Sequence, residues 1–112
     1  VFHHQLGYWY CEKKTNEVFY SLSIPRAVCV LTKGSAEKKG NAIEFNLRAS
    51  HDDKNFGVLE TPFMGKNAKT KAFTMHLSVD GDTMRYKMNT ALHIYGRDFD
   101  HTDENTLTRE KV

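Results

Sequence analysis

An Asp-Gly turn signal between two alternating segments is the feature that most constrains the fold of this chain. Residues 73–79 alternate Phe, Met, Leu and Val with polar residues, and residues 84–92 resume the alternation after Asp80-Gly81-Asp82. A period of two is typical of a β-strand with one buried face, and Asp-Gly favours the tight turn that joins paired strands. The segment from residue 73 to residue 92 is therefore predicted to form an amphipathic β-hairpin.

The rest of the chain also consists of short, strand-like segments, and no window shows the sustained apolar period of an α-helix. A polar turn is predicted at residues 33–41, and residues 51–71 are interrupted by proline and glycine. After the hairpin we expect a polar loop up to His101 and a closing strand around residues 106–109. The other predicted strands are residues 6–11, 18–22, 27–32 (apolar on both faces and hence buried), 43–49 and, as a short strand, 56–59.

Short strands at regular spacing indicate an all-β fold, either a sandwich or a barrel. Closure into a barrel removes exposed sheet edges, and small antiparallel barrels often enclose a cavity for one apolar ligand. The 112 residues, of which 39% are hydrophobic, supply enough material for one domain with one modest core. We therefore expect a single β-domain that spans residues 1–112.

Charge and hydropathy argue against several classes of partner. The net charge is only +2, and the basic residues are spread among acidic ones, so nucleic acid is not expected. Apolar runs are too short to cross a bilayer, and the first residues lack the features of a signal peptide, which favours a cytoplasmic protein with no membrane partner. Cys11 and Cys29 fit no metal-binding spacing and are expected to be reduced thiols.

Six histidines are the main candidates for chemistry. His3 and His4 are adjacent, so on a strand their rings would point to opposite faces and would not share a metal. His51, His76 and His93 stand in polar surroundings and are expected to be exposed. Recognisable nucleophile motifs and glycine-rich phosphate loops are absent from the sequence. His101, inside an acidic segment, is the histidine that remains to be explained.

Three segments of the chain resemble the nitrobindin family of haem-binding β-barrels, which also occur as the C-terminal domain of a THAP-type protein. Their shared order and spacing extend over nearly the whole chain, and they cover roughly the C-terminal two-thirds of the family domain. The segments are residues 2–8 (Phe-His-His-Gln-Leu-Gly-Tyr), residues 16–45 (from Asn-Glu-Val-Phe to Gly-Asn-Ala-Ile-Glu-Phe) and residues 81–109 (from Gly-Asp-Thr-Met-Arg-Tyr-Lys-Met to Thr-Leu-Thr-Arg).

The resemblance implies an antiparallel up-and-down β-barrel, similar to lipocalins and fatty-acid-binding proteins, that holds ferric haem b without the N-terminal strands of the family. A histidine that opens the last strand of the family domain ligates the iron, and this role would fall on His101. A second histidine near the open side of the haem corresponds to His3. The implied chemistry is reaction with nitric oxide and isomerisation of peroxynitrite to nitrate. The apolar wall residues expected at the cofactor are Phe73, Met75, Met84, Tyr86, Met88 and Leu92.

Features around the last strand leave alternatives open. Leu107 stands one residue later after His101 than in the family, so His101 would face the cavity only if a bulge absorbs the shift. The carboxylates of residues 98–104 would either favour a protonated imidazole that binds no metal or orient the ring. The alternative function is a non-catalytic carrier of a fatty acid or another small apolar ligand. Open sheet edges would also allow strand addition by a partner protein or a homodimer.

Overall fold

The computed structural model describes residues 5–25 and 27–110, which fold into one antiparallel sheet and one short helix. The elements in chain order are β1 (Leu6–Glu12), β2 (Glu17–Ile24), β3 (Val28–Lys39), β4 (Ala42–Ser50), β5 (Val58–Leu59), α1 (Pro62–Asn67), β6 (Ala68–Asp80), β7 (Thr83–Ile94) and β8 (Arg97–Thr108). The strands lie in the order β1-β2-β3-β4-β6-β7-β8, and β5 pairs with β3 beside this path. The predicted all-β, up-and-down architecture is confirmed.

The sheet curls so that one face, which we call the inner face, encloses the core. Within the described chain, β1 and β8 are the edges of the sheet. Gln5, just before β1, nevertheless donates a hydrogen bond to Met88 in β7, with 3.6 Å between Nε2 and Sδ. Trp9 of β1 and Leu107 of β8 also line one cavity. The two ends of the sheet thus face each other across its concave side, which gives the fold its barrel-like form.

The predicted hairpin is confirmed as β6 and β7. The two strands pair in continuous register from the turn back to Ala72, and an irregularity between Thr70 and Ala72 shifts the pairing at the far end. Gly81 at the turn has a φ of +59°, a conformation that glycine adopts without steric penalty. Asp80 ends β6 and pairs with Thr83, so the two turn residues are Gly81 and Asp82, with glycine at the first central position.

The core lies on the inner face, where alternation places the apolar side chains of most strands. One polar member, Thr32, has no exposed surface, and its Oγ1 donates a hydrogen bond of 3.0 Å to the carbonyl oxygen of Tyr20. This bond offsets the free energy of burying a hydroxyl. The buried apolar residues are Val18, Tyr20, Leu22, Val28, Val30, Leu47, Ala49, Val58, Phe73, Met75, Leu77 and Met88.

The third strand is longer and less buried than predicted. β3 continues to Lys39 through most of the segment predicted as a polar turn, because pairing with β4 satisfies its backbone whatever side chains it carries. Gly34 lies in this extension, where a Cβ would stand 1.6 Å from the carbonyl oxygen of Asn46. Cys29 and Leu31 are exposed on the outer face, so the prediction that both faces of this strand are buried was wrong.

The polar loop predicted before His101 is also wrong. β7 and β8 are joined by a two-residue turn, Tyr95-Gly96, whose residues have φ values of +46° and +82°. Positive φ at both central positions is the geometry of the tight turns that suit a β-hairpin. His101 therefore stands inside a strand. Because β8 is an edge strand whose side chains are mostly exposed, its sequence carries few apolar residues and reads as a loop.

Residues 51–71 contain β5, a shorter form of the strand predicted at residues 56–59, and α1, which was not predicted. Thr61 caps α1 because its Oγ1 accepts a hydrogen bond of 3.3 Å from the backbone nitrogen of Met64, and Pro62 opens the helix. Six residues are too few to show a helical period. No helix in residues 5–25 or 27–110 is long and apolar enough to cross a membrane.

Candidate functional site

Two adjoining cavities lie on the inner face of the sheet. The larger has a volume of about 280 Å³ and the smaller about 30 Å³. Gln5, Met88 and Asp103 border both. The larger cavity is otherwise lined by Trp9, Tyr20, Met75, Leu77, Met84, Tyr86 and Leu107. The smaller is otherwise lined by Leu22, Ile24, Val30, Thr70, Phe73, Thr90 and His101.

The register of β7 against β6 and β8 places His101 on the inner face. Thr90 pairs with Phe73 on one side and with His101 on the other, so these three residues form one row across the sheet. Side chains of residues directly opposite each other in paired strands share a face. The pairing of β7 with β8 runs without a break from Ile94↔Arg97 to Thr83↔Thr108. The altered spacing to Leu107 therefore does not turn His101 away, and the expected need for a bulge was wrong.

The acidic segment around His101 divides between the two faces of the sheet. Asp103 pairs with Met88 and shares the inner face with His101, whereas Asp98 pairs with the exposed His93. Asp98 Oδ1 contacts His93 Nδ1 at 2.8 Å and Lys71 Nζ at 3.2 Å. The hydrogen bonds from His93 and then Lys71 hold the pKa of Asp98 below its usual value. One carboxylate of the segment, Asp103, is thus left beside the imidazole on the inner face.

The apolar wall predicted from the sequence is brought together in large part. Met75, Met84, Tyr86 and Met88 line the larger cavity, and Phe73 and Met88 line the smaller. Leu92 lies farther along β7, opposite Thr70 and Phe99, and does not border either cavity in the described structure. His3, predicted near the open side of a haem, lies outside the described residues.

Sequence reasoning missed the contribution of β1 and β2 to the site. Trp9 stacks on Tyr20 with 4.5 Å between ring centroids, and Gln5 Nε2 donates a hydrogen bond of 3.0 Å to the Tyr20 hydroxyl. Gly7 makes room for this arrangement, because a Cβ there would lie 2.5 Å from the Tyr20 ring. Alternation identifies the face these residues share, but only the curl of the sheet brings that face toward β7 and β8.

The other described histidines face away from the inner cavities and contact carboxylates or amides. His76 Nε2 lies 3.0 Å from Glu44, and its Nδ1 lies 2.7 Å from the Asn46 side chain. His51 lies 3.8 Å from both Asp52 and Glu60. In residues 5–25 and 27–110, no group of three or more His, Cys, Asp or Glu side chains is placed to hold a metal ion. His101 is the described histidine that lines an inner cavity.

The residues on the inner face suit a haem in the type of donor they offer. A single imidazole is a common protein ligand of haem iron, and the porphyrin itself supplies four nitrogen ligands. His101 supplies such an imidazole at the rim of an apolar, methionine-rich and aromatic concavity. The larger cavity alone is near the lower end of the volumes of small-molecule sites, so a haem would also occupy the open side of the sheet.

Comparisons with known proteins agree with this architecture. A family model described as the THAP4-like, heme-binding beta-barrel domain matches residues 1–109. The crystal structure of Rv2717c from M. tuberculosis superposes with a TM-score of 0.74 at 20% sequence identity, covering 97% of this chain and 62% of that one. The chain thus spans less than two thirds of the length of that protein. A search of curated proteins gave no significant match. This chain belongs to the family of THAP4-like haem-binding β-barrel domains.

Proposed function

We propose that this domain binds haem and that the imidazole of His101 would hold the iron. The observation that carries the proposal is the position of His101, the described histidine on the inner face, in one row with Thr90 and Phe73. Membership of a haem-binding family supports the cofactor. The apolar residues beside His101, including Met88, supply a surface on which a macrocycle would be shielded from water.

Asp103 is proposed to position the imidazole. It follows His101 by two residues on the same face, although the two side chains do not bond to each other in the described structure. With haem bound, Asp103 would accept the second N–H of the imidazole, and such a carboxylate fixes the tautomer and orientation of a ligating histidine. A haem b held there would supply iron chemistry toward nitric oxide or peroxynitrite, and this is the activity proposed for the domain. Phe73, Met75, Met84, Tyr86 and Met88 would exclude water from the cofactor.

Haemin titration followed by visible absorbance tests the proposal. We expect a saturable one-to-one spectral change for the wild-type protein. For His101→Ala we expect an affinity weaker by about tenfold or more, because losing the ligand itself should cost at least as much as losing a residue that supports a ligand. His93→Ala removes an exposed imidazole that pairs with Asp98 on the outer face and serves as the matched control.

The two variants separate coordination from general effects of removing a histidine. His93→Ala should titrate like the wild type. Equal haemin affinity and equal spectra for wild type and His101→Ala would contradict the proposal, as would an equal loss in both variants.

A second candidate function is the carriage of a small apolar ligand. The observation that favours it is that the larger cavity is lined by residues of β1, β2, β6, β7 and β8 that do not include His101. A ligand in that cavity would not need the imidazole. Binding of such a ligand should therefore be unchanged in His101→Ala.

A further inference from the structure

The described lining of the two cavities contains a carboxylate but neither lysine nor arginine. Among the described residues that line the larger cavity, Asp103 is the one with a carboxylate side chain, and none is a lysine, arginine or histidine. In the smaller cavity, Asp103 is joined by His101, and neither lysine nor arginine lines either cavity in the described structure. A lysine or arginine beside the cavity would favour the carboxylate of a fatty acid through a charge-assisted hydrogen bond. The described lining instead carries the carboxylate of Asp103, which disfavours a second carboxylate.

The register of β8 against β7 places Asp103 on the inner face, where it borders both cavities. Its backbone pairs with buried Met88, and its side chain is half-buried on the inner face. Within residues 5–25 and 27–110 it makes neither a hydrogen bond nor an ion pair. A carboxylate that is partly removed from water and lacks a partner gains free energy when a cation or a donor is brought to it.

Aromatic rings in the same cavity favour the same kind of ligand. Trp9, Tyr20 and Tyr86 all line it, and Trp9 and Tyr20 are stacked. The faces of aromatic rings attract cations, and tryptophan does so most strongly. Met75, Met84 and Leu77 complete a wall that would cover an apolar body.

We propose that Asp103 makes the larger cavity selective for cationic amphiphiles, such as alkyl or aromatic amines, and against fatty-acid carboxylates. The inference rests on the carrier function proposed for this cavity and does not require haem. It names the ligand class of that function, and this class differs from the fatty acid expected from the sequence.

Octylamine, octanol and octanoate test the selectivity, because they share one apolar chain and differ in the charge of the head group. Trp9 is the one tryptophan of the chain and lines the cavity, so its fluorescence reports binding. We expect octylamine to bind about tenfold more tightly than octanoate, because one charge-assisted hydrogen bond supplies a factor of this size. The affinity for octanol should lie between the two.

Asp103→Asn should bring the affinities for octylamine and octanoate close to the affinity for octanol, and continued octanol binding by this variant would show that the cavity is still formed. Glu104→Gln removes the same charge from the neighbouring residue, which pairs with Lys87 and is exposed on the outer face. This control should keep the wild-type selectivity.

Three results would overturn the inference. If octanol binds but octanoate binds as tightly as octylamine, the selectivity is wrong and the carrier function stands. Equal loss of selectivity in Asp103→Asn and Glu104→Gln would show that net charge alone decides. No change of Trp9 fluorescence with any probe would remove both the inference and the carrier function, whereas the haemin titration would still decide the haem proposal.

Discussion

Gly34→Ala is expected to lower the free energy of unfolding by about 3 kcal/mol, at the upper end of the usual effect of overpacking. A Cβ at this position would stand 1.6 Å from the carbonyl oxygen of Asn46 and 2.8 Å from the Cα of Leu47. Both are backbone atoms of the paired strand, so no side-chain rotation relieves the clash. β3 and β4 would have to separate where Gly34 pairs with Leu47. Since small domains are stable by only about 5–15 kcal/mol, this is a large fraction of the total.

Urea unfolding followed by Trp9 fluorescence measures this effect. The matched control is Gly65→Ala in α1, where the nearest atom to an added Cβ is a side-chain oxygen of Glu60 at 4.0 Å. Alanine favours a helix over glycine, so the control should be neutral or stabilised by about 0.5–1 kcal/mol. Equal unfolding midpoints for Gly34→Ala and the wild type would contradict the register of β3 against β4.

Phe73→Ala is expected to lower the free energy of unfolding by about 4 kcal/mol, the middle of the range for buried phenylalanine. Phe73 is only 4% exposed and belongs to the core on the inner face. Its removal would take away the apolar surface it buries and leave a void beside Thr90 and His101. The substitution should therefore also weaken the binding of any ligand that occupies the smaller cavity.

Phe63→Ala provides the control for Phe73, because the same side chain is 64% exposed on α1. Its removal should change the free energy of unfolding by no more than about 0.5 kcal/mol. Urea unfolding of both variants decides the point. Similar midpoints for Phe63→Ala and Phe73→Ala would show that the inner face of β6 is not the core.

The parts of the fold predicted correctly are those in which local and tertiary requirements agree. Gly81 supplies the turn conformation, and the alternation around it matches the burial of Phe73 and Met75 in the structure. In such a hairpin the sequence pattern and the environment carry the same information. The class of fold and most strand positions follow from that agreement.

β8 was not predicted as a full strand because it lies at the edge of the sheet. Its side chains are nearly all exposed, so no apolar alternation marks it, and Tyr95-Gly96 was not recognised as the turn before it. The extension of β3 beyond Thr32 was missed for a related reason, since pairing with β4 rather than apolar character keeps it extended. Backbone pairing of this kind leaves little trace in side-chain patterns.

The sequence indicated cavity-lining residues that lie within the β6–β7 hairpin. It did not indicate those that the curl of the sheet brings to the cavities from the first strands. The resemblance singled out His101, and register then placed it on the inner face beside Asp103. Gln5 and Tyr20 contribute because the first strands curl toward β7, which periodicity does not encode. Asp103 carried a local signal, since residues two apart on a strand share a face.

The most direct test of the central claim is chemical rescue of the proposed iron ligand. His101→Gly loaded with haemin removes the imidazole and leaves space for a free one. We expect the visible spectrum of this variant to differ from that of the wild type and added imidazole to restore the wild-type spectrum. A wild-type spectrum of His101→Gly without imidazole would show that another group ligates the iron and would contradict the proposed role of His101.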